Sequence, residues 1–90
     1  MDLVTKARNL LRKAFPRPAK IVLEDEDGII GEVVSLRFRG VDFRTRQQML
    51  SQALNDKLSE AERNKISIIL TFTPEEQRFR EAIGAATNGK

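Results

Sequence analysis

Ile66-Ser67-Ile68-Ile69-Leu70-Thr71-Phe72-Thr73-Pro74-Glu75-Glu76 decides the fold of this chain. Ile66, Ile68, Leu70 and Phe72 alternate with Ser67, Ile69, Thr71 and Thr73, the period of two that sends successive side chains to opposite faces of a strand. The strand stops where a helix can start. Thr73 can cap it, Pro74 suits a first helical position whose N–H has no partner anyway, and Glu75 and Glu76 put negative charge at the positive end of the helix dipole.

Working back from that strand, Leu50, Ala53, Leu54 and Leu58 recur at helical spacing, so a helix is expected from Asp42 or Thr45 to about residue 58. Thr45 with Gln48 has capping-box spacing. Ser59-Glu60-Ala61-Glu62 has the same form, which allows a kink or a short extra helix there. Before it, Ile30, Val34, Leu36 and Phe38 share one parity and Ser35 and Arg37 the other, so a strand is expected from Ile30 to Phe38, ended by Gly40. Strand, helix, strand makes a right-handed crossover with parallel neighbours.

Lys20 to Asp25, with β-branched Ile21 and Val22, reads as a further strand, joined through the polar turn Asp25-Glu26-Asp27-Gly28 in a hairpin. Residues 2–15 read as a helix with Leu3, Ala7, Leu10, Leu11 and Ala14 on one side, capped by Asp2 and stopped by Pro16 and Pro18. The expected fold is therefore α+β: an α-β-β-α-β-α two-layer sandwich with a three-stranded mixed sheet and three helices over one of its faces. A single domain is expected over residues 1–86, with 87–90 a disordered tail.

The chain has 90 residues and contains no cysteine, histidine, tryptophan or tyrosine. Thiolate and imidazole chemistry is thereby removed: no disulfide, no thiol nucleophile, no zinc or iron–sulfur ligand set, no histidine general base. Ser35, Ser51, Ser59 and Ser67 have no histidine to activate them, so no enzyme is expected and no cofactor. The composition, 40% hydrophobic and 32% charged, is that of a soluble globular domain. No apolar run nears the roughly 20 residues that span a bilayer, and no apolar signal core occurs near the start, so a cytoplasmic protein without a membrane partner is expected.

Charge is segmented. Residues 1–20 carry six basic side chains against Asp2; residues 21–36 carry Glu24, Asp25, Glu26, Asp27 and Glu32 and no basic side chain; Arg37, Arg39, Arg44 and Arg46 then face only Asp42. The four arginines flank the start of the expected second helix, where free N–H groups and the dipole favour anions. With Gln47 they are the candidate nucleic-acid site, although alternate arginines along a strand are also simply its solvent face. Arg8, Arg12, Lys13, Arg17 and Lys20 could extend such a surface, or be a solvated helix face. Gly28-Ile29-Ile30-Gly31 matches G-x-x-G, but it lies between two strands and is read as a hairpin turn. Glu24 to Asp27 lack the spacing of a calcium loop and are read as a solvated turn.

Val33-Val34-Ser35-Leu36-Arg37-Phe38-Arg39-Gly40, followed by Phe43, Arg46, Met49, Leu50, Leu54 and Leu58 and by Thr71-Phe72-Thr73-Pro74-Glu75-Glu76, resembles the BolA family. The resemblance spans residues 3–77 and implies a BolA-like fold related to the type II KH fold. It also implies a small non-enzymatic regulator that contacts nucleic acid, or pairs with a monothiol glutaredoxin and shares an iron–sulfur cluster. The ligands for the cluster are missing: Gln47 and Gln48 follow Arg46 where the family has His-Arg, and Lys65 stands where it has a second histidine. An amide is a weak donor and an ammonium has no lone pair, so neither replaces imidazole on iron. Two readings follow: a nucleic-acid-binding regulator through Arg37, Arg39, Arg44, Arg46 and Gln47, or a protein adaptor without a cluster, docking on a strand edge or along the second helix. In either case the chain is a monomer or a weak dimer.

Overall fold

The computed structural model describes residues 2–88, the side chains of 86–88 apart. The elements are α1 (Leu3–Ala14), β1 (Lys20–Asp25), β2 (Ile29–Val34), a single 3₁₀ turn (Leu36–Phe38), α2 (Phe43–Leu54), α3 (Glu60–Arg63), β3 (Ile66–Phe72) and α4 (Pro74–Asn88). The sheet order is β1-β2-β3, with β1 antiparallel and β3 parallel to β2. This is the α+β architecture with a mixed three-stranded sheet that the sequence implies.

The helix starts follow the capping chemistry. Asp2 accepts from the Thr5 N–H at 2.7 Å and Asp42 from the Thr45 N–H at 2.8 Å, so Asp42 rather than Thr45 caps α2. Ser59 and Glu62 form a reciprocal capping box that opens α3 as a separate helix, and Thr73 and Glu76 do the same for α4. α2 consequently ends at Leu54 and not near 58. In the hairpin, Asp27 (φ 54°) and Gly28 (φ 123°) take up the left-handed backbone. Gly31 has a different reason: a Cβ there would lie 2.0 Å from the Val22 carbonyl oxygen, so only glycine lets β1 approach β2 so closely.

The inner face of the sheet, made by Ile21, Leu23, Ile29, Val33 and Ile69, packs against Ala7, Leu11 and Phe15 from α1 and Leu50 and Leu54 from α2, with Phe38 and Leu58 completing the core. Each buried phenylalanine contributes about 2–3 kcal/mol by this burial. The packing decides which parity of β2 and β3 faces inward. In β3 the buried residues are Ile69 and Thr71, while Ile68 and Leu70 face outward. In β2 Ile29 and Val33 join the core cluster on the inner face, Val34 is buried as well, and Ile30 is only half-buried.

The expected second strand also stops early. At Ser35 the hydroxyl accepts from the Arg37 N–H at 3.0 Å, and this local turn diverts the chain into the 3₁₀ helix before Phe38 is reached. Arg37 and Arg39 are therefore not alternate strand residues. The third long helix differs too: α1 and α2 cover the inner face, whereas Gln77 and Arg80 of α4 bond Glu32, which points to the outer face. α4 includes Thr87 and Asn88, assigned from sequence to a tail; Gly89 and Lys90 lie outside the described residues.

Candidate nucleic-acid interface at the start of the second helix

Arg37 lies in the 3₁₀ turn, Arg39 just after it, and Arg44, Arg46 and Gln47 near the start of α2, and most of these side chains already have partners. Arg37 donates from Nη1 to the Ala14 carbonyl, closing the end of α1, and its guanidinium lies 5.3 Å from the Phe15 ring centroid. Phe15 packs on Phe38 at 5.1 Å, and Arg46 lies 5.6 Å from the Phe38 ring. The four side chains form one column, Arg37–Phe15–Phe38–Arg46, in which cations rest on ring faces.

Arg46 is the most committed of them. Its side chain is only 12% exposed. It makes a bidentate pair with Glu76 at 2.6 and 3.0 Å, donates from Nε to the Val41 carbonyl at 2.8 Å, and reaches the Thr71 carbonyl at 3.4 Å. Arg39 pairs with both carboxylate oxygens of Glu75. These two guanidinium groups hold Glu75 and Glu76 well below the ordinary glutamate value of 4.5, down to about 2 for each, by hydrogen bonding above all. Hydrogen bonding to Glu75 raises Arg39 in turn. The amide of Gln47 donates to the Ile69 carbonyl at 3.2 Å. Arg44 is exposed and makes no ion pair or hydrogen bond among the described residues.

The expected patch of four cations is thus a patch of two neutralised pairs, one helix-end clamp and one free side chain. On α1, Lys6 pairs with Glu62 and Arg12 donates to the Phe15 and Ala19 carbonyls. The side chain of Gln47 is an amide bound to backbone, which does not fit a cluster ligand. Among the described residues no group of three or more His, Cys, Asp or Glu side chains could hold a metal ion.

Sequence reading missed a second surface. Phe79 is 67% and Ile83 51% exposed, one turn apart on α4, and with Phe72, Thr71, Arg46, Glu75, Glu76 and Arg80 they line an open apolar groove beside the end of β3. The i, i+4 spacing of Phe79 and Ile83 is visible in the sequence, but helical spacing does not say that nothing covers the stripe. Glu75 and Glu76 were legible only as first-turn acids. No helix of the described residues is long and apolar enough to cross a membrane.

No family model matches the sequence, and no curated protein matches it. Solved structures do. BolA1 from Arabidopsis thaliana superposes with a TM-score of 0.66 at 22% identity, covering 84% of this chain and 96% of that one. The solution structure of BolA1 from Mus musculus gives 0.64 at 20% identity, covering 90% and 72%, and the crystal structure of a bol-like protein from Babesia bovis gives 0.56 at 21%, covering 90% and 95%. The fold is BolA-like, as the residues from Val33 to Glu76 imply.

Proposed function

We propose that the chain is a non-enzymatic, BolA-like adaptor that binds a protein partner in the groove between α4 and β3 and ligates no iron–sulfur cluster of its own. The observation that carries this reading is the exposure of Phe79 and Ile83 over Phe72, a contiguous apolar surface of the kind that marks contact sites. The charged rim of Arg46, Glu75, Glu76 and Arg80 suits a segment that buries one or two large apolar side chains among mixed polar contacts.

NMR titration tests the reading, with a monothiol glutaredoxin, a short DNA duplex and a short RNA as separate titrants. The expected result is that the protein shifts the amides of residues 72, 79 and 83, and that the double variant Phe79→Ser/Ile83→Ser abolishes the shifts. A protein partner isolated from source extract that binds this variant undiminished would overturn it.

A nucleic-acid role through Arg37, Arg39, Arg44, Arg46 and Gln47 is the second reading, favoured by the free, exposed Arg44 beside the α2 N-terminus. It requires Arg39 and Arg46 to exchange their glutamates for phosphates. Shifts of residues 37–47 by DNA or RNA that persist at physiological salt and vanish in Arg44→Ala would establish it.

A further inference from the structure

The two edges of the sheet are finished differently, and the difference points to a partner. The free edge of β3 is capped by side chains, Gln47 on the Ile69 carbonyl and Arg46 on the Thr71 carbonyl. At the other edge, the phase of the ladder identifies the backbone groups that face out. Ile29 N–H donates to the Lys65 carbonyl at 2.7 Å and Ser35 N–H to the Phe72 carbonyl at 2.9 Å, so odd-numbered residues of β2 bond toward β3 and even-numbered ones toward β1. Through the register Lys20↔Val34, Val22↔Glu32 and Glu24↔Ile30, the even residues of β1 are the ones tied to β2. Ile21, Leu23 and Asp25 therefore direct N–H and C=O out of the sheet, and no side chain caps them among the described residues.

We propose that this edge pairs with a second copy of itself, antiparallel, about a two-fold axis at Val22, joining two sheets into one of six strands. In that register Ile21 and Leu23 of the two copies form the hydrogen-bonded pairs, which their outward backbone groups require. Val22 meets Val22 of the second copy, and Lys20 meets Glu24, both in close non-hydrogen-bonded pairs on the outer face. A shift of two residues either way would put Val22 opposite a charge. The charge segmentation serves the same register: the basic approach to β1, Arg17 and Lys20, runs along the acidic departure of the other copy, Glu24 to Asp27. Every contact except the Val22 pair on the axis is made twice, as a closed isologous interface demands. This interface lies on β1 and is separate from the groove at α4.

Sedimentation velocity over a concentration series tests it. The wild type is expected to dimerise reversibly. Lys20→Glu and Glu24→Lys, each at an exposed position, turn both attractive pairs into repulsive ones and weaken the dimer roughly tenfold or more. The double variant Lys20→Glu/Glu24→Lys restores the pairs with signs exchanged, and an equimolar mixture of the two single variants forms the heterodimer. Circular dichroism checks that each variant is folded. A wild type that stays monomeric at NMR concentrations overturns the proposal, as does a single variant that dimerises as tightly as wild type. The groove variant Phe79→Ser/Ile83→Ser is expected to dimerise normally, so failure here and failure of the adaptor reading are told apart.

Discussion

β1 and β3 are both edge strands of one small sheet, yet β3 is sealed and β1 is bare. β3 lies under the first turn of α2, whose side chains reach its carbonyls, and it carries outward Ile68 and Leu70 that would pair well with any strand that approached. β1 packs its inner face against α1, and its defence is charge at both ends. A hydrophobic edge thus receives a physical cap, and a charged edge receives none. Capping tracks the hazard of uncontrolled pairing, and the edge left open is the one whose charges choose the partner.

The largest break in this contrast is expected from Gly31→Ala, since the new Cβ would sit 2.0 Å from the Val22 carbonyl oxygen and 2.9 Å from Leu23 Cα, both backbone. The loss should be about 3 kcal/mol or more, read by urea unfolding, with β1 amides exchanging first. Arg46→Met removes the seal on β3 together with the Glu76 pair and should cost about 2–3 kcal/mol, with light scattering rising as the edge is uncovered.

Acid sharpens the comparison without mutation. Glu75 and Glu76 have folded values of about 2 against an ordinary 4.5, so their contribution to stability is complete above 4.5 and is lost as pH falls toward 2. Both carboxylates are half exposed and solvent-screened, so the effect is modest. Carboxyl NMR titration should show both midpoints near 2, and α4 should loosen over that interval while the β1–β2 hairpin amides stay protected.

Thr71→Val should stabilise, by about 1 kcal/mol, because the buried Thr71 hydroxyl has no hydrogen-bond partner among the described residues and the isostere carries no hydroxyl to bury. The smallest effect is expected from Gln47→Ala, which frees the Ile69 carbonyl at a cost of about 0.5–1 kcal/mol by thermal unfolding.

The order of elements was legible because capping residues and turn residues act locally: Asp2, Asp42, Ser59 and Thr73 sit where the helices start, and Asp27-Gly28 where the hairpin turns. What was not legible required knowing what lies opposite. The outward residues of β3, Ile68 and Leu70, belong to its more apolar parity while Ile69 and Thr71 face in, so alternation located the strand but not its inner face, and the outer face stayed apolar without being fully covered. Ser35 could equally continue a strand or turn it, and the turn won through one hydrogen bond to its own backbone two residues on. The arginines were found by charge alone, but their partners Glu75 and Glu76 lie 36 and 30 residues further along, beyond the reach of any local pattern. Four guanidinium groups close in sequence were therefore read as a candidate patch when three of them, Arg37, Arg39 and Arg46, are engaged within the fold.

The column from Arg37 through Phe15 and Phe38 to Arg46 also fixes an order of events in time. A chain made from its N-terminus presents α1, both hairpin strands and α2 while the carboxylates of Glu75 and Glu76 are still to be synthesised. Until they emerge, Arg39 and Arg46 lack their native partners and the crossover has no third strand to close on. Contacts so distant along the chain form late and slow the final step. The last segments made, from Ile66 to Lys90, add no net charge of their own; what they supply is placement, the two carboxylates that meet Arg39 and Arg46 and lock the helices onto the finished sheet.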